Sequence, residues 1–236
     1  MFPDSLLNSP LFGIGLTVIL YAFSEILVDR LGLRVLPPFV PACVGIIALL
    51  TCTPGVEYKQ YAAGAEFINF LLGPATIALA LPLYKNRKVI AQQALPILGG
   101  VTIATLVAIV VVYFCAKGLA ASEKVLLSLI PKSVTTPIAI DVSKTIGSIP
   151  ALTTAAVIFT GMLGATFNHT LLKLFGIKND IAAGLAIGAS SHGLGTSACA
   201  GVSPVQLAIG GVAIALTGIA TSILAPILLP ILKSIW

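Results

Sequence analysis

Six stretches of this chain carry no Asp, Glu, Lys or Arg: 5–24, 35–56, 67–84, 89–116, 145–172 and 181–232. A helix needs about 20 apolar residues to cross the hydrocarbon core of a bilayer, and the last run has room for two passes. The charged fraction is 9%, against 58% hydrophobic residues, where soluble domains carry about 25% charge. The mean hydropathy is +1.08. These runs lack the alternation of a membrane barrel. The expectation is an all-α, polytopic membrane helix bundle of seven or eight elements.

Charge placement excludes other classes. Thirteen basic residues give a net charge of +5, but they are scattered through loops and ends. That fits topology signals better than a nucleic-acid face. The densest basic loop, Lys85-Asn86-Arg87-Lys88, is placed in the cytoplasm by the positive-inside rule. Cys43, Cys52, Cys115 and Cys199 lack metal-ligand or CxxC spacing, so they read as small buried hydrophobes and no metal or cofactor is expected. The N-terminal run lacks a basic n-region and a cleavage site, so it reads as a first span.

The spans are expected at Leu6–Leu27, from Pro37-Pro38 to Cys52, Ala62–Tyr84, Ile90–Cys115, Ile149–Leu174 and Val205–Leu232, with broken elements between. Gly73-Pro74 interrupts the third. The sharpest break is Pro131-Lys132-Ser133-Val134-Thr135-Thr136-Pro137. Pro131 lacks an N–H and Pro137 disfavours helix at Thr136. Thr136 fits as an N-cap with Pro137 at the first helical position. The next break is Ser190-Ser191-His192-Gly193-Leu194-Gly195-Thr196. A shift of 59 residues lays Thr76, Ala80 and Lys85 on Thr135, Ala139 and Lys144, a candidate internal repeat. Interrupted apolar segments at corresponding positions point to a transporter site near the bilayer midplane.

The chemistry at these breaks suits a small anion. Lys132 offers charge, and Ser133, Thr135 and Thr136 offer hydroxyls beside the free N–H groups of a helix start. Lys132 has two structural alternatives, pairing with Asp141 and snorkelling to an interface. Asp141 is either a proton or cation acceptor or that partner. His192 titrates near physiological pH and is a candidate for proton coupling; the alternative is a histidine hydrogen-bonded inside the bundle. Gly193 and Gly195 permit close backbone approach and unusual dihedrals. Gly73 and Thr76 would contribute from the related break, with Glu66 beside it, and His169 reads as interfacial. Ser191, His192 and Asp141 could form a hydrolase triad, but GxSxG is absent and adjacent residues rarely give nucleophile–base geometry. An enzyme is not expected.

Four motifs carry a family resemblance: Phe70-Leu-Leu-Gly-Pro-Ala-Thr-Ile-Ala-Leu-Ala-Leu-Pro-Leu-Tyr-Lys85, Pro131-Lys-Ser-Val-Thr-Thr-Pro-Ile-Ala139, Ile146-Gly-Ser-Ile-Pro-Ala-Leu-Thr153 and Ala189-Ser-Ser-His-Gly-Leu-Gly-Thr196. The chain resembles the LrgB/CidB family of bacterial membrane proteins, which includes the YohK-type inner-membrane proteins, as a single domain over 1–236. The resemblance implies a multi-pass inner-membrane protein, expected to be a homo-oligomer with a dimer favoured. Two functions follow from it. Plastid relatives carry glycolate and glycerate, and bacterial members have been linked to pyruvate, which implies a secondary transporter of small monocarboxylates. The alternative is an antiholin-like modulator of murein hydrolase export and autolysis, working with a small LrgA/CidA-type membrane partner. After Thr196 the family commonly has acidic residues and a Gly-Ala-x-Ser-Ser run. This chain has Ala200-Gly-Val-Ser-Pro-Val-Gln-Leu-Ala-Ile-Gly210 instead, so ion coupling through that connection is not carried over.

Overall fold

A computed structural model describes residues 7, 9–32, 38–71, 74, 77, 80–85, 87–199 and 201–235. Every regular element among them is helical. Four helices are long and apolar enough to cross a membrane: Pro10–Leu31, Ala94–Gly118, Pro150–Leu174 and Pro204–Ile235. The chain falls into two compact units, Met1–Ala75 and Thr76–Trp236.

The first unit holds α1 (Pro10–Leu31), α2 (Phe39–Cys52) and α3 (Tyr58–Phe70). Ser9 caps α1 by accepting from the Leu11 N–H at 3.3 Å, with Pro10 opening the helix. Gly32, at φ 65, ends it by donating to the Asp29 and Val28 carbonyls. Glu25, Asp29 and Arg30 therefore lie inside the helix rather than beyond it. α3 starts at Tyr58, earlier than hydropathy predicts, because Glu57 and Gln60 close a capping box there. α1 and α3 cross at Gly13 and Gly64, where a methyl on Gly64 would come within 2.7 Å of the Gly13 Cα. Leu7, Phe12 and Val56 form the unit's buried cluster. Glu66 is exposed on α3.

The second unit begins with short helices α4 (Ala80–Lys85) and α5 (Arg87–Gln92) and continues into α6 (Ala94–Gly118). Then come α7 (Glu123–Leu129), α8 (Thr136–Thr145), α9 (Pro150–Leu174), α10 (Asp180–Ser197) and α11 (Pro204–Ile235). Of the adjacent glycines Gly99 and Gly100 in α6, Gly100 makes the close contact: a methyl there would meet Leu185 Cδ2 at 2.6 Å. Gly99 has nothing within 4 Å of such a methyl.

α7 and α8 form a hairpin that returns to its starting end. Lys124 Nζ donates to the Gly147 carbonyl at 2.6 Å, and the Ile149 N–H donates to Ser128 Oγ at 3.1 Å. The following α10 also folds back. Asn179 caps it by accepting from the Ile181 and Ala182 N–H groups at 2.9 and 3.0 Å. The backbone leaves helical geometry at Ser191 and His192. By Ser203 the chain is beside its start: Ser203 Oγ and Gln206 Nε2 donate to the two oxygens of Asp180 at 2.9 and 2.8 Å. These two hydrogen bonds hold the Asp180 carboxyl below its ordinary value, the Gln206 bond having the larger effect.

The two hairpins approach α9 from opposite ends. The first ends where Pro150 opens α9, and the second packs Ala183, Ile187 and Cys199 against Leu172 near the α9 C-terminus. α10 lies on α11 through small residues, since a methyl at Gly188 would meet Ala213 Cβ at 2.8 Å and the Gly210 backbone.

Candidate functional site

The tips of the two hairpins converge on one residue of α9, Val157. From the first side, Val134 and Ala139 pack with Val157 in one fully buried cluster. From the second, His192 Nε2 lies 2.9 Å from the Val157 carbonyl oxygen. A carbonyl can only accept, so Nε2 carries a proton and donates it, leaving Nδ1 as the ring's titrating position.

The first tip follows directly from its sequence. α7 ends at Leu129 and residues 130–134 run as turns. The Lys132 N–H bonds the Leu129 carbonyl at 3.2 Å and the Val134 N–H bonds that of Pro131 at 3.3 Å. α8 then begins at Thr136, so Thr135 rather than Thr136 is the N-cap. Pro137 keeps its place in the first turn. The expected cap hydrogen bond is absent: among the described residues Thr135 Oγ1 is buried with no partner. Ser133 is buried and Lys132 is half-buried, with Lys132 Nζ donating to Ser133 Oγ at 3.4 Å.

Among the described residues no carboxylate lies within 4 Å of Lys132 Nζ. Asp141 does not pair with it. It faces Lys144 at 3.8 Å, and the two side chains are 79% and 65% exposed respectively. Lys132 is therefore a cation at a buried tip without a protein counter-ion among the described residues.

The second tip is held by α9. Asn168 Nδ2 donates to Ser191 Oγ at 2.8 Å, and Ser190 Oγ is 2.9 Å from Ser191 Oγ. Thr196 Oγ1 donates to the His192 carbonyl at 2.7 Å. Only small residues on α9 make room for this. A methyl at Gly161 would lie 2.6 Å from His192 Cε1, and one at Gly164 would overlap Ser191. Gly195 supplies the expected close approach to Ser191, whereas Gly193 has open space around it. The unusual dihedral falls on neither glycine. His192 itself takes φ 44 and ψ −144, while 5% exposed. That region is strongly disfavoured for a residue with a Cβ, and such strain collects at functional sites.

Thus the first tip reaches Val157 through Val134 and Ala139 and the second through the His192 ring, with Lys132, Ser133 and Thr135 flanking Val134 in the chain and Thr136 opening α8. Ser191 and Thr196 serve the tip's internal hydrogen bonding. Gly73 and Thr76 lie outside the described residues. Ser191, His192 and Asp141 form no relay, since each has a different partner. His169 Nε2, expected at an interface, is buried without a partner among the described residues. Sequence reasoning missed Asn168. Its spacing from Gly161 and Gly164, on one face of α9, was the available signal.

A comparison with known protein families matches residues 17–231 to the LrgB-like family. No solved structure matches the chain.

Proposed function

The chain belongs to the LrgB-like family of membrane proteins, and we propose that it is a secondary transporter of small monocarboxylates of the glycolate, glycerate and pyruvate class in the inner membrane. One observation carries this reading: Lys132 stands half-buried where the two hairpin tips meet, with no carboxylate within 4 Å among the described residues. A charge at membrane depth costs several kcal/mol unless it is paired or wet. A small carboxylate would supply the missing counter-ion. Ser133 Oγ and the unpartnered Thr135 Oγ1 add hydroxyl donors.

The discontinuous helices give this site its two-sided character. One tip belongs to a hairpin rooted at the start of α9 and the other to a hairpin rooted at its end. Loosening either one exposes the junction toward a different end, which is what alternating access requires. His192 and Asp141 are the two candidate coupling groups. His192 touches the junction through Val157, whereas Asp141 stands exposed on α8. Proton gain at His192 Nδ1 would place a second positive charge near Lys132 and favour anion binding.

Counterflow in proteoliposomes tests the reading. Vesicles loaded with unlabelled glycolate, glycerate or pyruvate should accumulate a trace of the labelled acid, saturably and with competition between acids. Unsaturable leakage of acids and unrelated solutes alike would instead favour a holin-like pore or its regulator.

A further inference from the structure

α11 presents three faces. Ile219, Ile223, Ile227 and Ile231 recur every four residues and are each about half exposed, a stripe suited to lipid. Thr217, Thr221 and Ala225 face the interior. Between these lies a third face, with Ser222, Pro226, Pro230 and Lys233, and it lines a series of cavities.

The first cavity, about 220 Å³, is bounded by Ile138, Asp141, Thr145, Ser222 and Pro226. The second, about 270 Å³, shares Thr145 and Pro226 with it and extends to Lys233. The third, about 230 Å³, shares Lys233 and ends at Lys117 and Glu123. Lys233 is ion-paired with Glu123 at that outer mouth. α11 has 32 residues, about 48 Å at 1.5 Å per residue. Ser222 lies near its middle and Lys233 near its end, so the series leads from membrane depth to an interface.

The lining is mixed: Ile138, Val142, Leu127 and Leu229 are apolar, whereas Asp141, Thr145 and Ser222 supply a carboxylate and two hydroxyls. Pro226 and Pro230 have no N–H, so the carbonyls of Ser222 and Pro226 lose their i+4 donors. Such backbone persists at membrane depth only where it is buried or wet. At the inner end Ile138 closes on Gly218, where a methyl would meet the terminal Cδ1 of Ile138 at 2.5 Å. Behind the cavity Ile138 packs against the Val134, Ala139 and Val157 cluster of the tip, and Thr217, next to Gly218 in the chain, is buried.

We propose that the three cavities form one hydrated path leading to the Lys132 site, open at the Glu123–Lys233 end and gated by Ile138 closing on Gly218. Its solute rests on the carrier reading above; its water does not.

Cysteine labelling tests the path without any substrate. In a variant with Cys43, Cys52, Cys115 and Cys199 replaced, single cysteines are introduced and exposed to a membrane-impermeant methanethiosulfonate in vesicles of each orientation. Ser222→Cys and Thr145→Cys should react at least tenfold faster than the lipid-stripe control Ile223→Cys, and from the same face as Lys117→Cys. Equal rates at 222 and 223, or reaction from the opposite face, would overturn the path. Thr217→Cys should be protected and become at least tenfold faster when combined with Ile138→Ala. A Thr217→Cys that reacts equally with Ile138 intact would overturn the gate. Either failure leaves the counterflow result standing, so the two claims fail separately.

Discussion

Adding one methyl group at Gly161 tests the convergence of the tips. The methyl of Gly161→Ala would lie 2.6 Å from His192 Cε1, 2.9 Å from Nε2 and 2.7 Å from Leu194 Cδ1. The ring cannot simply turn aside, because Nε2 is bonded to the Val157 carbonyl and the His192 backbone is already at φ 44. Overpacking of this kind costs about 1–3 kcal/mol, and losing the hydrogen bond adds about 1 kcal/mol. Replacing glycine within a helix returns roughly 0.8–1 kcal/mol of propensity. The net expectation is a loss of about 1–3 kcal/mol. Gly99→Ala is the matched control, with the same propensity gain and nothing within 4 Å, and it should be neutral or stabilising. Denaturation of the purified protein in detergent, followed by circular dichroism at 222 nm, reads both. Combining Gly161→Ala with His192→Ala should cost at least 1 kcal/mol less than the sum of the single changes, since the clash disappears with the ring. Strict additivity, or a Gly161→Ala variant as stable as Gly99→Ala, would refute the placement of His192 against α9.

Three further expectations follow from neighbouring groups. His192→Gly should be more stable than His192→Ala by about 1 kcal/mol, reversing the usual order within a helix, because glycine adopts φ 44 and ψ −144 without strain; chemical denaturation of the two variants measures it. Asn168→Ala should leave Ser191 Oγ without its 2.8 Å donor and cost about 1–3 kcal/mol, with Asn168→Gln failing to rescue it in the same assay. Asp180 has a lowered folded-state pKa from the Gln206 and Ser203 bonds. Its contribution is therefore complete above the ordinary carboxylate range and is lost as pH falls through the folded value. The stability advantage of wild type over Asp180→Ala should hold at pH 6 and shrink progressively below about pH 4, as melting curves across pH would record.

Local chemistry made much of this fold legible. Pro150 opens α9 and Leu174 closes it, as the charge-free run and the flanking lysines indicate. Turns occupy 130–134 between α7 and α8, and within α10 helical geometry lapses at Ser191 and His192. The returns were not legible. Hydropathy reports that a stretch is apolar, not whether it crosses or comes back, and the contacts that bring Asp180 to Ser203 and Lys124 to Gly147 are made between residues far apart in the chain. Among the described residues four helices are long and apolar enough to cross a membrane, and shorter helices stand between them. Asn168 was hidden by its neighbour, because Asn168-His169 near a helix end looks interfacial until the packing of Gly161 and Gly164 is known. The partner of Asp141 was one residue type with two sequence neighbours, and the i,i+3 lysine on its own helix prevailed over Lys132.

The central claim is that Lys132 awaits an anion, and equilibrium binding of labelled glycolate, glycerate and pyruvate to the purified protein tests it directly. A charge-assisted hydrogen bond contributes about 1.5–3 kcal/mol, so Lys132→Ala should weaken binding roughly 10- to 150-fold at about 1.4 kcal/mol per decade. Lys132→Arg should retain part of the affinity. The Lys132→Ala protein should also melt at or above the wild-type temperature, because it loses a cation with no carboxylate partner among the described residues. A Lys132→Ala variant that binds the acids as tightly as wild type, or that melts well below it, would contradict the account and make the lysine a structural residue.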